Sequence, residues 1–267
     1  MGERLRLYAR LVGARVRSQY QYRLSFWSFF VSQFLIAFVD FLAILVIFTH
    51  VPAFAGWSLG QVAFLYGLSG TAFNVADVLV SQVDGLTLRV KDGTFDQILL
   101  RPLGSLSQLC ADDFALRRLG KLLQALIVLA AAVGRVGVHW TAGRVVVTAM
   151  AVVAGSVIFS SVWVIAGSAT FWLLDARELV NSVTYGGGFL TQYPLQIYGV
   201  VLRRLLAFVV PLAFVSFFPA LYVLGKPDPF TGLGAVRFLS PLVAAILVVV
   251  ARTAWVGGVR HYRSTGS

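Results

Sequence analysis

The sequence predicts an all-α, polytopic membrane bundle: six transmembrane helices preceded by an N-terminal amphipathic helix lying in the interface. Three observations carry this reading. Hydrophobic residues fill 58% of the 267 positions and charged residues only 12%, about half the charged share of a soluble domain. The charges gather between long apolar runs, and the mean hydropathy is +0.83. The basic residues, finally, flank those runs unevenly.

Taken in order, Glu3 to Arg23 is basic and amphipathic. At about 100° per residue, Leu5, Tyr8, Val12, Val16 and Tyr20 share a face opposite Arg6, Arg10 and Arg17. Such a helix lies among headgroups, as an elbow leading into the first span. It does not read as a cleavable signal, because the apolar run behind it is too long and no small-residue cleavage site follows. A span needs about 20 apolar residues. Runs that meet or approach this are 24–48, 57–83, 119–133, 145–174, 205–224 and 236–256. The third is short and ends at Gly134-Arg135. With the N-terminus inside, eighteen of the 22 Lys and Arg residues fall on the inner side and four on the outer. The positive-inside rule then places both termini in the cytoplasm of a bacterial inner membrane, and six is an even number of crossings.

Composition also excludes. A net charge of +11 would suggest nucleic acid for a soluble chain. Here the cations border apolar runs, so the expected contact is anionic membrane lipid and no nucleic acid is expected. One cysteine, Cys110, leaves no intrachain disulfide. His50, His139 and His261 sit at span ends or tails without a His-Glu-x-x-His pattern, and no G-x-S-x-G elbow occurs. The chain therefore reads as a non-enzyme with no catalytic residue, metal or cofactor of its own.

Two segments between spans are distinctive. Residues 175–204 are irregular, with Gly186-Gly187-Gly188 and Tyr193-Pro194; they are expected as short interfacial helices about a glycine hinge, with a re-entrant excursion as the alternative. Residues 84–118 form the longest polar stretch. Inside it, Lys91, Asp92, Gly93, Thr94, Phe95, Asp96, Gln97, Ile98, Leu99, Leu100, Arg101 and Pro102 read as one small unit. Gly93 supplies a turn, and Thr94 with Gln97 fits a capping box. Asp96 suits the first helical turn, while Pro102 disfavours helix through Arg101. Phe95, Ile98 and Leu99 are expected to present an apolar patch to a groove on another protein.

That segment resembles the first cytoplasmic loop of bacterial ABC-2-type permeases, which carries a basic-x-Gly-x-Phe/Leu-Asp-x-x-Leu-Leu-Arg-Pro pattern. Tyr193-Pro194, Leu202-Arg203-Arg204, Phe208 to Pro211 and Phe218-Pro219-Ala220 resemble the same six-span subfamily. The resemblance covers essentially the whole chain. It implies an exporter-type permease fold, a separate ABC ATPase carrying ATP and Mg, and a second permease, more readily a sister chain than a copy. It also implies that residues 92–102 are the coupling helix. The chain itself has no P-loop: Gly120-Lys121 and Gly225-Lys226 lack the following Ser/Thr and the earlier glycine.

Two carboxylates fall inside spans. Asp40 lies two-thirds along the first. Asp77 lies toward the inner end of the second, in a small-polar stripe of Gly67, Thr71, Asn74, Asp77 and Ser81. Ionisable groups in membrane helices are costly, about 2.5–3.5 kcal/mol on insertion scales. Asp40, Thr71, Asn74, Asp77 and Ser81 are candidates for the translocation path, or for hydrogen bonds between helices. The alternative function is an ion-coupled secondary transporter working through Asp40 or Asp77.

Overall fold

The computed structural model describes residues 13–14, 17–19, 21–101, 103–112, 116–173, 176–230 and 232–263. Gly13, Ala14 and Arg17 to Gln19 are helical, with Arg17 exposed. Arg6 and Arg10, the other polar-face positions of the expected elbow, lie outside the described residues, as does Pro102. The Gln19 side chain accepts a hydrogen bond from the Leu116 N–H at 3.1 Å, tying the entry segment to the start of the third helix.

Helix α1 (Arg23–His50) is apolar on nearly every face, and only Ala37 and Ile44 are buried. Those two are seven apart and so share one stripe. Helix α2 (Leu59–Val80) is the opposite case, buried over most of its length. Its small residues explain this. A Cβ on Gly67 would come within 2.6 Å of the Leu129 Cα, so α2 meets α6 (Leu119–Val133) backbone to backbone. Small residues at such crossings are how membrane helices gain dispersion contacts where no hydrophobic gain is available. On its other side α2 packs on α7 (Ala142–Ser168), which in turn packs on α12 (Ser240–His261).

The second helix does not stop near Val83. One 3-10 turn, Ser81–Gly85, carries it into α3 (Leu86–Lys91), giving an apolar rod from Leu59 to Lys91. Asp84 therefore belongs to the rod, and the polar connection begins at Asp92. It holds α4 (Phe95–Leu99) and α5 (Ser105–Asp112). We name the two ends of the bundle for their buried aromatics, the Trp57 end and the Phe95 end.

The largest departure lies between residues 176 and 224. The stretch expected at the interface is instead a helical climb. Helix α8 (Arg177–Asn181) runs through a π turn, Ser182–Gly186, into α9 (Gly187–Leu190). Tyr185 meets Asp84, and the Thr191 and Ser69 hydroxyls lie 2.6 Å apart. Ser69 is ten residues, or about 15 Å, from the start of α2, so the climb stops near mid-depth. The glycine triplet is no hinge. Gly186 and Gly187 have helical dihedrals, and Gly187 and Gly188 sit against Leu212 and Phe73.

The expected fifth span, 205–224, is also broken. Residues Val200–Val209, which include α10 (Val200–Arg204), bend by 75° from Leu212–Val223, which includes α11 (Phe217–Val223). Pro211 stands at the break. It can donate no backbone hydrogen bond there. Ser216 donates to the Thr191 carbonyl at 2.8 Å, so α11 resumes where α9 ends and continues to the Trp57 end. Residues 192–211 form a side excursion. The Arg203 guanidinium lies 5.3 Å from the Phe230 ring centroid. Arg203 and Arg204 line a cleft with Pro229 and Phe230. These two arginines thus belong to the Trp57 end, opposite to their expected side.

Among the described residues, four helices are long and apolar enough to cross a membrane, or five if the bent pair counts as one crossing. Helix α6, with 15 residues, is shorter than the about 20 residues a full crossing needs. Helix α12 runs on to His261, so Arg252 lies nine residues inside it rather than at its end.

Candidate functional site

The unit between Lys91 and Arg101 is built in two layers. The N–H of Asp92 closes α3 on the Leu88 carbonyl at 2.8 Å. Gly93 then turns the chain with φ +66°, a left-handed conformation that a side chain would strain. Helix α4 follows. Phe95 is fully buried, its ring 5.4 Å from Phe171 and 5.1 Å from Tyr262. Ile98 is buried beside it. Two of the three residues expected to face a partner thus face the chain's own core. Burying Phe95 stabilises the unit by about 1.5–3 kcal/mol. The exposed layer consists of Lys91, Asp92, Thr94, Gln97, Leu99, Leu100 and Arg101. Leu100 is 87% exposed and Leu99 41%.

The expected capping box is not formed. Thr94 has helical dihedrals and makes no cap; its hydroxyl donates to the Arg89 carbonyl at 3.4 Å. Helix α5 holds the unit from behind instead. The Gln108 amide donates to the carbonyls of Ile98 at 3.0 Å and Leu103 at 2.6 Å. Arg89 pairs with Asp112 at 2.5 Å, and the Trp255 indole donates to Ser105 at 3.1 Å. Burial pushes the Cys110 thiol up to about 12, so it stays neutral and serves as packing. The Tyr262 phenol is also raised, first by desolvation and then by neighbouring Asp96.

Directly behind this unit lies a buried polar network. Asp77 pairs with Arg118 at 2.7 Å, and the same guanidinium nitrogen donates to the Asp77 carbonyl at 3.0 Å. The carboxylate is 4% exposed and the guanidinium 22%. Asp84 accepts from the Trp163 indole at 2.6 Å and from the Tyr185 hydroxyl at 3.0 Å. Thr87 and Thr170 hydroxyls meet at 3.1 Å. The network joins α2 and α3, the approach to α6, α7, and the climb from α8 to α9. It converts side chains from four separate segments into one packed block.

The stripe of expected path residues is therefore internal to this chain. Ser81 donates to the Asp77 carbonyl, and Asn74 donates to the Lys121 carbonyl at 3.4 Å. Thr71 is buried with its hydroxyl unpartnered among the described residues. Asp40 is separate from all of them, exposed on α1. Arg118, Asp84, Trp163 and Tyr185 were not singled out by the sequence. Asp84 carried a signal, since its spacing of seven from Asp77 puts both carboxylates on one helix face. Its partners, far along the chain, carried none.

A long-helix bundle with a folded helical unit locked to one end defines a multi-pass membrane protein. Residues 34–266 match the family described as ABC-2 family transporter protein. The chain belongs to that family, and it is a permease of an ABC transporter, a transport subunit that implies an ABC ATPase as partner. No curated protein and no solved structure matches it. The secondary-transporter alternative finds no support in the family match, and Asp77 is held by Arg118 within the chain.

Proposed function

We propose that this permease is the membrane half of an exporter and receives the ATPase stroke on the exposed layer of the Lys91 to Arg101 unit. The observation that carries the reading is the division of that unit. Phe95 and Ile98 fix it to the bundle, while Leu99, Leu100 and Arg101 stand out from it. A partner groove that grips Leu100 and Arg101 would move α4 and α5 as one piece, since Gln108 holds them together, and Arg89 would carry the motion to α3 through Asp112. The Asp77–Arg118 and Asp84–Trp163–Tyr185 contacts would pass that displacement into α2, α7 and α8.

In this reading ATP and Mg are bound by the separate ATPase. The Phe95 end faces the cytoplasm of a bacterial inner membrane, and both termini lie there. The chain crosses six times, α8–α9 and α11 together making the fifth crossing. The exposed apolar face of α1 meets lipid or a second permease, a sister chain in preference to a copy. Export, rather than uptake, rests on the resemblance to the exporter-type subfamily. The test is co-purification with the ATPase. Leu100→Asp should abolish the complex while the thermal midpoint of the permease stays unchanged. An intact complex would place docking elsewhere.

A further inference from the structure

A lateral groove of about 310 Å³ opens between α7 and α12, with Leu79 and Leu106 closing its back. Its walls are apolar despite three serines. The Ser156 and Ser160 hydroxyls donate to carbonyls of their own helix, Val152 at 2.8 Å and Ser156 at 2.7 Å. Those two donors are engaged within α7. Arg252 lines the same groove, is exposed, and makes no ion pair or hydrogen bond among the described residues.

An unpaired guanidinium inside a membrane-spanning helix is expensive and calls for an anion or a path to water. Arg252 lies about 13 Å along the helix from His261. Its stem can therefore carry the charge toward the headgroup layer of the Phe95 end. The groove extends about 12 Å along α12, from Val248 to Val256. Its open, almost wholly apolar walls suit a flexible hydrocarbon chain. We propose that this groove binds one acyl chain of an anionic glycerophospholipid whose phosphate is held by Arg252. Arginine is suited to the task, because its planar fork can hold two phosphate oxygens at once. Lipid binding here requires neither the docking of an ATPase nor a direction of transport.

The test uses the full chain in nanodiscs of equal parts phosphatidylglycerol and phosphatidylcholine. After re-extraction in detergent, the retained lipids are quantified by mass spectrometry. The wild type should retain phosphatidylglycerol over phosphatidylcholine by about fivefold, the preference expected from one basic residue at the surface. Arg252→Gln should bring the ratio to parity. Arg252→Lys keeps the charge without the fork and should give an intermediate ratio, so it serves if the glutamine variant does not fold. Ser160→Leu fills the groove without touching the charge and should also lose the preference. Parity in the wild type, or an unchanged ratio in Arg252→Gln, overturns the proposal. So does full preference in Ser160→Leu, which would put the lipid outside the groove.

Discussion

Helices α1 and α2 are both long and apolar enough to cross a membrane, yet they have opposite fates. Both carry one carboxylate within an apolar run, yet α1 buries only Ala37 and Ile44 while α2 is packed on most of its faces. Asp77 on α2 is closed in with Arg118, whereas Asp40 on α1 stands exposed. Hydropathy measures what a helix can tolerate around it, and small residues decide what it can approach. Gly67 and the alanines of α2 allow close packing along its length, whereas α1, rich in phenylalanine, is met backbone to backbone where Gly120 sits against Phe30. One helix is the pillar of this chain, and the other is a surface for something outside it.

The sharpest way to break that contrast is to strand each charge in turn. Arg118→Ala leaves Asp77 buried and unpaired, and should destabilise the fold by about 3–5 kcal/mol. Removing both charges in an Asp77→Asn/Arg118→Gln pair should recover much of this. Thermal unfolding of the purified permease measures both. Asp40→Leu should leave the same midpoint unchanged, because exposed positions move stability by no more than about 0.5 kcal/mol, while weakening assembly with a second permease. A fall comparable to that of Arg118→Ala would make Asp40 an internal strut and erase the distinction.

A smaller effect concerns the unit that α2 supports. Cys110 is buried behind α4 with its thiol raised to about 12 by burial alone. In the unfolded chain a thiol titrates near 8.5. The folded value is the higher, so its contribution to stability is complete below the unfolded value and fades as pH rises toward the folded one. Between about pH 7 and 8.5 a maleimide should label Cys110 only after denaturation. Ready labelling of the folded protein would show that α5 opens easily and could not hold α4 rigidly.

Much of the architecture was legible because hydropathy reports long helices directly. The run 24–48 sits within α1, and 119–133 coincides with α6. The break in the expected fifth span was not legible, because residues 205–210 are apolar and only the folded chain shows the 75° bend at Pro211. The same limit hid the orientation of α4. Periodicity identified Phe95, Ile98 and Leu99 as apolar, but which of them the chain covers depends on Phe171 and Tyr262, far away in sequence. The Arg203–Phe230 contact likewise reverses the side of two arginines without changing the sign of the charge bias. Local pattern gives propensity, and distant partners decide which face is used.

The central claim is that the ATPase meets the outer layer of α4 and not its buried one. Site-specific crosslinking tests it most directly, since Cys110 is the sole native cysteine. In a Cys110→Ala background, Leu100→Cys should crosslink to the ATPase, while Phe95→Cys and Lys226→Cys at the Trp57 end should not. Crosslinking from Lys226→Cys, or none from Leu100→Cys in an intact complex, would contradict the claim.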